Sequence, residues 1–204
     1  MNLYAYVGND PFNNSDPLGQ ETVCVDGVCR MAAEGTKARG VPDTQPSPGD
    51  AQRVEANKGR MQRAASSTDE AFFAVGPNLA NNGVQKVSAE SGESANGEAA
   101  TSSLNTSVAH AHVIDTSGRF PVPAPKGVVD VPKGNGGQGD AAYSLLNKPL
   151  PLATISNGNV AWRGISDGYL TMTFKEGTIA RGLMAEHQSN LNSEQELLAG
   201  KWNK

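Results

Sequence analysis

The chain is poor in the residues that usually build large cores or bind nucleic acid. Aromatic residues make up 5% of its 204 positions, and it has three histidines and two cysteines. The length gives room for one ordinary domain with tails rather than two full cores. No block of Lys/Arg stands out, and 17 basic residues against 21 acidic give a net charge of −4. That removes the electrostatic footprint of a strong nucleic-acid binder, so nucleic acid is not the expected partner. No apolar run approaches the roughly 20 residues of a membrane helix. The first residues lack a basic stretch followed by an apolar core. The chain is therefore expected to carry neither a membrane segment nor a signal peptide of its own. Cys24 and Cys29, with no other cysteine and no histidine close by, do not make a zinc ribbon. Instead the chain is rich in glycine (23) and proline (12). With its Ser/Asn tracts, this predicts much loop and a folded core confined to part of the chain.

Two of the three histidines fall in TSVAHAHVID, residues 106–115. Small and β-branched residues running into His110-Ala111-His112 and on to Val113-Ile114 read as a buried strand. Side chains two apart on a strand share a face, so both imidazoles can converge on one cation at the roughly 2.0–2.1 Å of zinc–nitrogen bonds. The same pattern also describes polar residues closing a strand, or a histidine pair hydrogen-bonded in a core. Its meaning depends on what stands nearby. Glu90, Glu93 and Glu98 lie on the approach and are either solvated turn residues or candidates for a general base. Beyond the histidines a Pro/Gly-rich loop, Thr116–Gly139, leads to Asp140 at the head of DAAYSLLNK. Asp140 can cap that helix, ligate a cation, or do both.

The remaining segments read as local structure. Asp26-Gly27 within ETVCVDGVCR signals a two-residue hairpin, which sets Val25 against Val28 and Cys24 against Cys29. A disulfide is geometrically possible there, and the alternative is a flexible linker with two thiols. Gly40–Asp50 reads as an extended, exposed Pro-rich linker. Ala51–Ala65 reads as a polar surface helix. Ser67 and Glu70 have capping-box spacing, which predicts a second helix through Phe72, Phe73 and Val75 that stops at Gly76-Pro77. Residues 83–115 read as two or three short strands joined by Ser/Gly/Asn turns. Residues 150–182 read as a four-stranded meander anchored by Trp162, Tyr169 and Phe174. Ser193 and Glu196 predict the start of a last helix with Leu197, Leu198 and Trp202 on one stripe, and His187 reads as a surface residue.

The first twenty residues carry a resemblance. Asn2, Leu3, Tyr4, Tyr6, Val7, Asn9, Pro11 and Asp16-Pro17-Leu18-Gly19 match the end of the repeat-associated core of Rhs/YD-repeat proteins, with Gln20 where that family usually has leucine. The resemblance implies a large β-shell closed by this segment and, after it, a variable C-terminal toxin held inside. It also implies self-cleavage after the motif by an aspartate pair of which Asp16 is one, the other lying upstream of Met1. By the same resemblance, a dedicated secretion system delivers the toxin into a target cell and a cognate immunity protein guards the producer. Without its shell, the segment is expected to be a disordered remnant.

A second resemblance covers about residues 67–165. The order amphipathic helix, Glu90-Ser91-Gly92, His-x-His strand, Asp140 at a helix start and ATISNG is similar to the JAB/JAMM metalloproteases, in particular the JAB-like domains that end Rhs toxins. This implies zinc held by His110, His112 and Asp140, with Glu90 as general base on a protein or peptide substrate. Gly137 stands where the family has a serine, and the loop from the histidines to Asp140 is longer than usual. The expected fold is α+β, a mixed or antiparallel sheet with flanking helices. Residues 1–20 would be the end of the core, 21–49 hairpin and linker, and 50–204 the toxin domain, with its JAB-like part at about 67–182. Two further readings stay open: a nuclease-type toxin using His110 or His112 in acid–base chemistry, and a toxin that binds its target without catalysis.

Overall fold

A computed structural model of the protein describes residues 22–65, 69–77, 84–91, 106–112 and 149–204. Asp16, Glu93, Glu98 and Asp140, like the expected helix that Asp140 heads, lie outside the described residues. The described part is α+β. Strands β1 (Val23–Val25), β2 (Val28–Ala32), β3 (Asp69–Val75), β4 (Val84–Ser91), β5 (Ser107–Ala111), β6 (Leu152–Ser156), β7 (Asn159–Ser166) and β8 (Tyr169–Lys175) form one mixed sheet. Its order is β1-β2-β8-β7-β6-β5-β3-β4. The pairing of β5 with β6 is parallel, and the other described pairs are antiparallel. Helices α1 (Pro48–Ala64) and α2 (Arg181–Trp202) complete the described elements.

The hairpins form where turn chemistry demands them. Asp26-Gly27, Asn157-Gly158 and Asp167-Gly168 each place both residues at positive φ, between 49° and 78°. This is the two-residue turn whose twist matches that of paired strands. Cys24 sits directly across from Cys29 and the two are joined in a disulfide, so the reading of this stretch as a free linker is set aside.

Each face of the sheet carries a helix. Val54 and Met61 of α1 pack with Ala71, Phe73, Ala109, Ala111, Ala153 and Ile155. Leu191 and Leu198 of α2 pack with Ala161, Ile165, Leu170, Met172 and Phe174. Ser47 caps α1, accepting from the Asp50 amide at 3.0 Å, with Pro48 at the first helical position. These are the expected start signals of a helix. Asp50 is itself buried and accepts from Thr106 Oγ1 (2.6 Å), Ser107 Oγ (2.7 Å) and Arg53 Nη1 (3.0 Å). One carboxylate thereby ties the start of α1 to the start of β5.

Several expectations are corrected. The segment read as a second helix is strand β3, because Ala71, Phe73 and Val75 fill the face under α1 while Phe72 is buried on the other. Residues buried on both faces with β4 and β5 on either side gain more as a strand than a capping box supplies to a helix. The expected 51–65 helix is present as Pro48–Ala64, with Glu55, Arg60 and Arg63 exposed on its outer side and Val54 and Met61 wholly buried against the sheet. The Pro-rich segment is largely exposed, as expected, but it is docked on the sheet rather than a free linker. Thr44 is buried and pairs with Ile165 through two 2.8 Å main-chain hydrogen bonds. Gly164 permits this approach, because a Cβ there would stand 2.1 Å from the Thr44 carbonyl oxygen. The meander has three strands, not four, and the chain enters α2 at Arg181, well before Ser193. Ser193 lies within the helix and donates to Ser189 O at 3.0 Å. His187 is buried, 1% exposed, on the face of α2 that also carries Asn190, Glu194 and Leu198.

Candidate functional site

β5 is an interior strand made of Ser107-Val108-Ala109-His110-Ala111, and every residue of it is buried. Alternation divides its faces. Ala109 and Ala111 meet the α1 side, and small residues there let the helix approach. Val108, His110 and His112 take the opposite face. The two imidazoles are in contact, with ring centroids 4.5 Å apart and planes at 69°. His110 is 1% exposed and His112 6%. The expected convergence of the pair on one face is thus present.

Neighbouring strands build the surroundings. Across β3, Phe72 pairs with His110 in register and stacks on it, centroids 4.4 Å apart and planes 5° from parallel. The phenyl ring fixes the plane of the imidazole and keeps water from that side. On β6, Thr154 pairs with His110, and both are buried. The parallel ladder continues one step further, where the His112 amide donates to Ile155 O at 2.9 Å, which brings Ser156 into the row of His112. From the other side of the sheet, Gln62 of α1 donates through Nε2 to His112 O at 2.6 Å. That bond holds the end of β5 where regular pairing stops.

Glu90 lies on β4, two strands from β5, with Glu70 as its register partner on β3. Extended one residue past the Ala71–Ala111 pair, the antiparallel register sets Glu70 opposite His112. The row therefore runs Ser156, His112, Glu70, Glu90 across four strands. Reading 67–75 as a helix concealed Glu70. The alternation of Ala71, Phe73 and Val75 against Phe72 and Ala74 is the signal that could have found it.

The donor set suits a borderline cation such as zinc. Two imidazoles side by side on a rigid strand are a common part of such sites. The buried Ser156 lies in the same row, and among the described residues its hydroxyl has no hydrogen-bond partner. Among the described residues no three His, Cys, Asp or Glu side chains form a ready cage. The third donor would have to come from outside them, as the expected Asp140 would.

A second buried polar group lies toward α2. Arg163 of β7 and Glu194 form an ion pair, with side chains 5% and 0% exposed. Arg163 shares its register row with Leu152 of β6, two residues along the strand from Thr154. The pair joins the helix to the site-bearing face of the sheet.

Compared with protein-family models, curated proteins and solved structures, the chain finds no match.

Proposed function

We propose that the chain is the C-terminal toxin region of an Rhs-type polymorphic toxin and that its site is a JAB-like, zinc-dependent hydrolase centre acting on a protein or peptide. The observation that carries this reading is the buried, mutually touching His110–His112 pair on one face of β5, walled by Phe72. His110, His112 and Asp140 would hold the ion. Bound there, zinc would supply a Lewis acid and a nucleophilic water at neutral pH. The residues around it do the rest. Phe72 holds the His110 ring plane and excludes water, and Gln62 fixes the main chain at His112. A glutamate takes and returns the proton. Register favours Glu70, opposite His112, over Glu90, which is one strand further away.

Expression in bacteria tests the reading. The wild-type chain should arrest growth with nucleic acids intact and proteins cleaved, and co-expression of a cognate immunity protein should restore growth. His112→Ala should lose the arrest. Of Glu70→Gln and Glu90→Gln, the first should lose activity while keeping the metal. Degraded RNA or DNA would point to the nuclease reading instead. Arrest that survives His112→Ala would remove this site from the function altogether.

A further inference from the structure

We infer that the free edge of β1 is a docking strand for another protein, one that adds an extended segment with aliphatic side chains at alternate positions and Asp or Glu beside them. The inference goes beyond the proposed cation site and does not depend on it. Among the described residues, the exposed large hydrophobic side chains are Val23 (45%), Val25 (62%) and Val28 (48%), and all three belong to the β1–β2 hairpin. Register puts them together. Val25 stands directly across from Val28, and Val23 lies two residues from Val25, so the three share one face. Cys24 and Cys29 take the other face, against the core under α2.

The two edges of the sheet are built differently. β1 has β2 on one side and no described strand on the other. An open edge offers unpaired main-chain groups and is normally guarded by charge, proline or a bulge. β4, the opposite edge, contains Lys86 and Glu90, and its register with β3 shifts between Phe72 and Phe73. Val23-Cys24-Val25 has none of these guards, and its pairing with β2 runs without a shift. In a two-residue hairpin the pair next to the turn exchanges its main-chain hydrogen bonds, so the next residue out, Cys24, turns its N–H and C=O toward the open side. The disulfide to Cys29 holds that residue in place.

Charge selects the occupant. The rows Val25-Val28-Lys175 and Val23-Arg30-Thr173 expose two cations and contain no acid. A second copy paired edge to edge would bring its own Arg30 and Lys175 to the same face, where like charges repel. An acidic strand is complementary to that face, and the small area marks a transient contact of the strand-addition kind.

The test uses the oxidised, isotope-labelled full chain, titrated with the peptide Glu-Thr-Val-Thr-Val-Thr-Glu and followed by NMR. As a strand this peptide sets Glu and Val on one face and Thr on the other. It should shift the Cys24 amide and protect it from exchange, with the amides of β4 unchanged. The peptide Lys-Thr-Val-Thr-Val-Thr-Lys should bind about tenfold more weakly at low salt. Val25→Glu, which removes aliphatic surface and adds a like charge, should weaken the first peptide by about tenfold or more with urea stability unchanged, because the side chain faces solvent. No binding of the first peptide, equal affinity for the two peptides, equal affinity of wild type and Val25→Glu, or protection of β4 in place of β1 would each overturn the inference. Sedimentation of the chain alone should show a monomer. A dimer that Val25→Glu dissociates would assign the edge to a second copy and overturn the inference as well.

Discussion

Phe72 and His110 lie face to face across the β3–β5 ladder, 4.4 Å between ring centres and 5° from parallel. The phenyl ring both fills the core and sets the imidazole plane, and two substitutions separate these roles. Phe72→Ala should destabilise the protein by about 3–5 kcal/mol in urea unfolding, the usual cost of deleting a buried ring. Phe72→Leu keeps most of the volume, should cost about 1–2 kcal/mol, and should still weaken Co²⁺ binding because the imidazole plane is no longer fixed. Equal metal affinity in wild type and Phe72→Leu would show that the stacking does not orient the ligand.

Asp50 has no sequence signal beyond a place in the first turn of α1, yet it accepts from Thr106, Ser107 and Arg53 together. Asp50→Ala leaves those donors without their acceptor and should cost on the order of 2–3 kcal/mol by denaturant unfolding. Because the carboxylate anchors the start of β5, amide exchange at Val108 and Ala109 should speed up more than at β7. A uniform change across the sheet would count against that anchoring role.

The Arg163–Glu194 pair is buried on both sides. Glu194→Gln should destabilise by about 3 kcal/mol or more, because it leaves a buried guanidinium without its counter-charge. The double variant Arg163→Met/Glu194→Leu should lose less than that single one, since no buried charge remains. A double variant at least as damaged as Glu194→Gln would show that the pair stabilises the fold by itself.

Cys24 and Cys29 close a very short loop, so the bridge should add only about 2 kcal/mol. Chain purified from a reducing cytosol should carry two thiols and lose two hydrogens on air oxidation, read by mass spectrometry. Thiols that persist in air would reject the bridge.

What could be read from the sequence followed from how local its cause was. Asp26-Gly27, Asn157-Gly158 and Asp167-Gly168 fix their hairpins by backbone chemistry alone, so those turns and the strands beside them were legible. The shared face of His110 and His112 was legible because a strand has a period of two. The segment 69–75 was not. Ser67 and Glu70 are local helix signals, while the strand is decided by β4 and β5, partners distant in sequence that pair on either side of it. With β3 misread, Glu70 could not be set opposite His112. His187 was illegible for a similar reason: Asn190 and Glu194 look like a solvated stripe until Arg163 of a different element is placed against it. Ser156 and Gln62 owe their interest to a row of the sheet and to a bond across it, and neither has a local sequence signature.

The central claim is that the His110–His112 pair holds a cation, and metal stoichiometry tests it most directly. The full chain, stripped with chelator, dialysed against zinc and analysed by elemental mass spectrometry, should retain one zinc per chain. His110→Ala and His112→Ala should each retain almost none while staying folded by circular dichroism. Wild-type protein that retains no zinc, or a folded His112→Ala that retains as much as wild type, would contradict the account.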